Sequence, residues 1–167
     1  MSPRVKRILV TGMSGTGKST VLAELRRRGH RVVDTDEGEW SEDVPLPDGS
    51  GVERLWREEA MTALLDQDGE GTLFVSGCTS NQRRFYERFD AVVLLTASKE
   101  VILDRATHRT SNPFGKDPAE LDRIIRDIER AEPLLRRSAT TEISTERPLR
   151  DVVEAVAAVA RRAPPPS

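Results

Sequence analysis

The sequence predicts a three-layer α/β domain, with a central parallel five-stranded sheet and helices on both faces. Three observations carry that expectation. Short β-branched and apolar runs alternate with longer amphipathic stretches, the pattern of strand–helix–strand crossovers. Two of the runs, Thr72–Ser76 (TLFVS) and Ala91–Thr96 (AVVLLT), are apolar without alternation, as strands covered on both faces are. The 167 residues, 37% hydrophobic and 32% charged, suit one domain with a real core and a well-solvated surface.

The elements follow in order. Arg7–Thr11 (RILVT) is an apolar run that stops at Gly12, a buried first strand. From Gly17 to Arg28 the residues Val21, Leu22 and Leu25 recur at helical spacing, and Gly29 supplies the stop. Arg31–Asp36 (RVVDTD) reads as a second strand ending in two acids. Residues 37–50, rich in Gly, Pro and acids, read as a loop. A helix is expected over 52–67, with Leu55, Trp56, Ala60, Ala63 and Leu64 inward. Beyond the strands at 72–76 and 91–96 come a helix from Val101 to Arg109 and a Gly/Pro break at 110–118. A long amphipathic helix over 119–136, a short strand at 141–144 and a final helix over 149–161 complete the pattern.

Charge and cysteine content narrow the function classes. The net charge of −2, from 26 basic and 28 acidic residues, gives no electrostatic case for nonspecific DNA binding. The single cysteine, Cys78, excludes an internal disulfide and cannot alone build a thiolate metal cluster. The apolar run Ile8–Val10 is far too short for a secretion signal, and no run approaches the roughly 20 apolar residues of a membrane span. A cytoplasmic protein is expected, without nucleic-acid or membrane partners, as a monomer or homodimer.

Gly12-Met13-Ser14-Gly15-Thr16-Gly17-Lys18-Ser19 fits G-x-x-x-x-G-K-[ST] at every fixed position, between a predicted strand and a predicted helix. This is the P-loop, and each part answers a physical demand. Glycines allow positive φ and close backbone approach, so successive N–H groups can face phosphate oxygens. The following helix turns its positive end to the same anion. Lys18 is expected to reach the β- and γ-phosphates, and the Ser19 hydroxyl to ligate Mg²⁺. Gly12, Ser14, Gly15, Thr16, Gly17, Lys18, Ser19 and Thr20 form the expected ATP-binding set.

Three further features bear on chemistry. Asp34 and Asp36 lie at the carboxyl end of the second predicted strand, where open α/β sheets place their ligand crevice, and strand alternation puts both on one face. One carboxylate suits Mg²⁺ and the other an acceptor hydroxyl; the alternative is a pair of solvated loop acids. Ser76-Gly77-Cys78 closes the third strand with small residues that let an acceptor approach, or forms an ordinary turn. Cys78 is read as a small packing residue, since no histidine or metal partner is apparent. Arg105 and Arg109, four apart on one helix face before a loop carrying Lys116, suit a closing lid that neutralises transferred charge. Arg105 has the alternative of lying along the adenine, and both arginines that of a solvated helix face. His108 reads as surface.

Together these residues resemble the small P-loop kinases grouped with shikimate kinase, gluconate kinase and nucleoside monophosphate kinases, over about residues 7 to 158. Shikimate kinases carry an Asp-x-Asp after the second strand, matched by Asp34 and Asp36. The resemblance implies Asp34 near the Mg²⁺ shell and Asp36 near the acceptor. Trp56-Arg57 looks like their aromatic-Arg pair, which implies Arg57 as an acceptor ligand. Two departures argue against shikimate itself. Ser76-Gly77-Cys78 replaces a triple glycine, and Ala131-Glu132-Pro133-Leu134 replaces Arg-x-Pro-Leu; Arg130 and Arg136 are the candidates to compensate. Gly77-Cys78 followed by an aromatic segment ending Arg88-Phe89-Asp90 is similar to an atypical adenylate-kinase family. That family carries an aspartate on the third strand where this chain has Phe74.

The expected activity is γ-phosphoryl transfer from ATP to a small-molecule or nucleotide acceptor. Lys18, Asp36 and Arg109 are the catalytic set, Ser19 and Asp34 hold Mg²⁺, and Asp36, Arg57, Gly77 and Cys78 meet the acceptor. Residues 1–163 would form one kinase domain, with an acceptor segment at about 37–68, a lid at about 109–118, and 164–167 a tail. The alternatives are a nucleotide-dependent ATPase or switch without a small acceptor, and a shikimate kinase-like or resistance kinase. No Asn-Lys-x-Asp occurs, which argues against a GTPase.

Overall fold

The computed structural model describes residues 5–13, 15–107 and 118–162. Strands β1 (Lys6–Thr11), β2 (Arg31–Asp34), β5 (Thr72–Ser76), β6 (Ala91–Thr96) and β7 (Thr141–Ser144) form the central sheet. Their order is β2-β5-β1-β6-β7, and every pairing is parallel. The five-stranded parallel sheet that the apolar runs predict is therefore present. Helix α1 (Lys18–Arg27) follows β1, α2 (Glu58–Leu65) precedes β5, and a 3-10 helix (Gln82–Arg88) leads into β6. Helices α3 (Lys99–Thr107), α4 (Pro118–Ser138) and α5 (Leu149–Arg162) complete the chain.

The pleat of β1 shows why the domain has three layers. Ile8 and Val10 point into one buried cluster with Val21, Leu22 and Leu25 of α1 and Val152, Val153 and Val156 of α5. Leu9 points into the other, with Met61, Leu64 and Leu65 of α2, Trp56, Phe85 of the 3-10 helix and Phe89 just after it. Both faces are covered, so β1, β5 and β6 need apolar residues at successive positions rather than alternate ones. A third cluster joins Ile102 of α3 to Ile128 of α4.

The helix expected over 52–67 is half wrong. Residues Val52–Trp56 are strand β4, paired antiparallel with β3 (Ser41–Pro45), which lies inside the expected loop. Register runs from Ser41 opposite Trp56 to Pro45 opposite Val52. The turn between them closes by Leu46 N–H donating to Gly51 O at 2.9 Å and Gly49 N–H to Leu46 O at 3.0 Å. Asp48 accepts from the Ser50 N–H and hydroxyl, the local chemistry that favours Asp in turns. The helix begins only at Glu58, and its inner face is Met61, Leu64 and Leu65; Ala63 is exposed. Beyond Trp56 the second strand of the hairpin gives way to α2, so a helical period fits only its latter half.

Candidate active site

The P-loop turns sharply from β1 into α1. Gly12 has φ 151°, and a Cβ there would stand 2.5 Å from the Leu95 carbonyl oxygen and 2.9 Å from Thr16 Oγ1. The loop is stitched by the Thr16 hydroxyl and N–H, both donating to Met13 O, at 2.7 and 3.2 Å. Gly17 caps α1 at φ 98° with no side-chain cap and no acid in the first turn. The positive end of the helix is left for an anion. Lys18 Nζ donates to Gly12 O (2.7 Å) and Met13 O (3.1 Å). Burial pushes its ammonium below the usual lysine value, against the pull of Cys78, Asp36 and Asp34 nearby.

A cavity of about 830 Å³ opens over this loop. Gly15–Val21 form its floor, Asp36 and Cys78 one side, and Arg105, Thr145, Arg147, Leu149 and Val152 the other. Asp34 stands at the floor: the Ser19 hydroxyl donates to its Oδ2 at 2.7 Å. The other Asp34 oxygen accepts the Asp36 N–H at 3.0 Å. The strand ends at Asp34, and the Glu37 N–H donates to its carbonyl at 3.1 Å to close a turn. Asp36 therefore reaches the cavity by way of a turn rather than by strand alternation.

The donor set fits Mg²⁺. A hydroxyl and a carboxylate oxygen in contact are hard oxygen donors, and Mg²⁺ takes one or two such groups and fills its shell with water and phosphate. Among the described residues no group of three or more His, Cys, Asp or Glu is placed to hold a metal. A closed all-protein metal cage is not what these side chains build.

On the acceptor side the expected residues separate. Cys78 lines the cavity, with burial pushing its thiol up while Lys18, the Thr11 hydroxyl and the Gly12 backbone oppose that shift. Gly77 serves packing: a Cβ there would meet Thr35 Oγ1 at 2.3 Å and Trp56 Nε1 at 3.0 Å. Thr35 is the hub. Its hydroxyl donates to Ser76 O (2.7 Å) and accepts from the Trp56 indole (2.9 Å), while its carbonyl accepts from the Ser41 hydroxyl (2.8 Å). Asn81 backs the same region, its side-chain amide accepting from Trp56 N–H and donating to Trp56 O, both at 2.9 Å. Arg57 is not among the residues lining the P-loop cavity; it lines a separate cavity of about 490 Å³ with Glu39, Trp40 and Ala60. There it pairs with Glu42 at 3.3 Å. Arg136 is committed to Glu132 (2.8 Å) and Glu142 (3.0 Å).

Arg105 does join the cavity, as a brace. Its guanidinium donates to Gly15 O (2.9 Å), Thr145 Oγ1 (3.1 Å) and Thr145 O (3.2 Å), tying the phosphate loop to the turn after β7. Thr145, Arg147 and Leu149 were missed by pattern reading, although that turn follows the carboxyl end of a parallel strand, where ligands gather. Ser14, His108, Arg109, Lys116 and the expected lid, at about 109–118, as far as residue 117 lie outside the described residues, and Pro118 opens α4.

Residues 8–132 match the family model described as AAA domain. The chain belongs to the AAA domain family. Over 155 residues the chain is 30% identical to a protein of Archaeoglobus fulgidus described as "Putative adenylate kinase", covering 92% of this chain and 82% of that one. Its fold is that of small P-loop kinases. Shikimate kinase from Acinetobacter baumannii, solved in complex with shikimate, superposes with TM-score 0.64 at 19% identity over 96% of each chain. A gluconokinase from Sinorhizobium meliloti gives 0.57 at 23% identity, over 96% of this chain and 95% of that one. At such identities the likeness is one of fold. No helix among the described residues is long and apolar enough to cross a membrane.

Proposed function

We propose that this AAA domain protein is an ATP-dependent phosphotransferase acting on a small-molecule or nucleotide acceptor. One observation carries the reading: two neighbouring carboxylates have different duties around one cavity. Asp34 is bonded to the P-loop serine, while Asp36 faces the cavity with Lys18. A hydrolase needs only to place water; a second carboxylate beside the cradle suits an acceptor with its own hydroxyl or phosphate. The A. fulgidus relative's description as an adenylate kinase supports the same class.

In the reaction the acceptor oxygen forms a bond to the γ-phosphorus as the bond to the β–γ bridging oxygen breaks, leaving ADP. Asp36 takes the acceptor's proton when that oxygen carries one. Lys18 and the N–H groups of 15–20 meet the charge on the phosphates. Ser19 and Asp34 would hold Mg²⁺, which when bound would supply positive charge to offset that of the phosphates. Arg109 joins as the charge-neutralising lid cation, and Arg105 fixes the floor against the wall that receives the base. Cys78 edges the acceptor's approach, with Gly77 behind it packed on Thr35 and Trp56, and Arg57 is assigned to a more distant part of it. A cytoplasmic location follows from the supply of ATP.

A second reading, hydrolysis without a small acceptor, draws on the AAA description. Strand β5 ends Phe74-Val75-Ser76, without the acids that motor ATPases of this kind place there for the metal. The deciding experiment follows ADP release from Mg-ATP across nucleoside monophosphates, sugar acids and hydroxylated carboxylates. Acceptor-dependent turnover that Asp36→Asn abolishes, with nucleotide binding kept, supports the kinase. Turnover indifferent to every acceptor sinks it.

A further inference from the structure

The β3–β4 hairpin carries a side chain outside the nucleotide cradle whose contacts converge on the cavity. We propose that Arg54 is a positioning residue: from β4 it holds the Asp36 carboxylate toward the P-loop cavity, and the hairpin is the arm that presents it. The proposal rests on the reading of Asp36 as the acceptor-side carboxylate.

Arg54 Nε lies 3.5 Å from Asp36 Oδ1, and Nη2–H donates to the Asp36 carbonyl at 3.4 Å. The guanidinium thus grips both ends of one residue. It is aimed from behind by Asp43, directly opposite in the hairpin register, whose Oδ1 accepts from Nη1 at 3.2 Å. The main chain of Arg54 is fixed as well, its carbonyl accepting the Ser80 N–H at 3.3 Å. Two residues on, the Asn81 amide clamps Trp56. Asp36 itself has its N–H held by Asp34. That bond fixes its backbone and leaves χ1 free, and among the described residues the side chain meeting its carboxylate is Arg54.

Arg54 is not among the residues lining the cavity, so it acts through Asp36. The pair is exposed, at 38% for Arg54 and 53% for Asp36, and ion pairs of that kind add little to stability. Its value lies in direction. A reacting group displaced by an ångström loses about 100-fold in rate, so holding one rotamer matters more to chemistry than to folding.

Three-bond couplings from Asp36 Cγ to its backbone nitrogen and carbonyl carbon, in the full chain labelled with ¹³C and ¹⁵N, read χ1 directly. A single rotamer is expected in the parent, averaging in Arg54→Gln, and a return toward one rotamer in Arg54→Lys. A single Asp36 rotamer in Arg54→Gln overturns the proposal. Should Arg54→Gln fail to fold, Asp43→Asn, which removes the carboxylate behind the guanidinium, should give partial averaging, and an unchanged rotamer there overturns it equally. Turnover of Mg-ATP with water in the acceptor's place supplies the second arm. Arg54→Gln should lower kcat about tenfold with KM for ATP unchanged, and should cost nothing further in an Asp36→Asn background. A loss that adds in full to that of Asp36→Asn refutes action through Asp36. If Asp36→Asn leaves turnover at the parental level, the acceptor-side reading of Asp36 fails, while the couplings still decide whether Arg54 holds it.

Discussion

Replacing Gly77 with alanine would put a methyl group where three fixed atoms already stand. The added Cβ would lie 2.3 Å from Thr35 Oγ1, 3.0 Å from Trp56 Nε1 and 3.2 Å from Trp56 Cζ2. None is the loose end of a flexible side chain. Thr35 Oγ1 is bonded on two sides, to Ser76 O and the Trp56 indole, and Trp56 is 1% exposed. Overpacking a tight core costs about 1–3 kcal/mol. Turning the indole away would add about 1–3 kcal/mol for an orphaned buried N–H. A loss of roughly 2–6 kcal/mol follows, and at about 2–4 °C per kcal/mol for a chain near this size, Tm should fall by on the order of 10 °C. Calorimetry together with urea unfolding measures both quantities. Thr35→Ala should relieve the worst contact, so the double variant should lose less than the two single losses summed. A Tm for Gly77→Ala within about 2 °C of the parent, or strictly additive losses, would refute the account of Gly77 as a packing residue.

Four other outcomes are expected. Burial lowers the Lys18 value, so between it and the ordinary lysine value the unfolded chain holds one more proton than the folded chain. Stability of the nucleotide-free protein should therefore rise with pH through that window. A bound triphosphate favours the charged ammonium, so ATP affinity should fall across the same window by up to about tenfold per pH unit; pH-dependent melting and calorimetry on the parent and Lys18→Met test both slopes. Cys78, the chain's one thiol, is pushed up by burial and should react with iodoacetamide more slowly than free cysteine at pH 8, and more slowly still with ATP present, as mass spectrometry will read. Ser19→Ala removes the hydroxyl bonded to Asp34 and should raise the magnesium concentration needed for half-maximal turnover while leaving Tm near the parent's. Arg105→Ala cuts the tie between Gly15 and Thr145 and should weaken ATP binding by about 1–3 kcal/mol, measured by calorimetry.

The legible parts of this chain were those whose signal is local. β7 is read from four residues, 141–144, with the bounds the structure has, because an isolated Ile flanked by β-branched and polar residues fits no helix. The P-loop is read from spacing alone, and Lys18, Ser19 and Thr20 indeed line one cavity with Asp36 and Cys78. The hairpin escaped because Trp56, Ala60 and Leu64 fall at helical intervals, although Pro47-Asp48-Gly49-Ser50-Gly51 marks a turn. Arg54 had no local signal at all. Asp43 comes to it through a cross-strand register, which a one-residue slip would erase, and Asp36 through the turn that follows β2. Thr145 meets Gly15 only by way of Arg105, across some 130 residues of chain, because the sheet order sets β6 between β1 and β7.

The Asn81 clamp has a consequence for association. A two-stranded ribbon exposes two unpaired borders, each a template for a foreign strand. Along β4 that border is occupied, since Ser80 and Asn81 make the contacts with Arg54 and Trp56 that an incoming chain would otherwise make. The border left on β3 carries Glu42 and Asp43 and ends in Pro45, charge and a missing N–H that discourage lateral growth. The ribbon beside the cavity thereby offers little template for lateral strand addition.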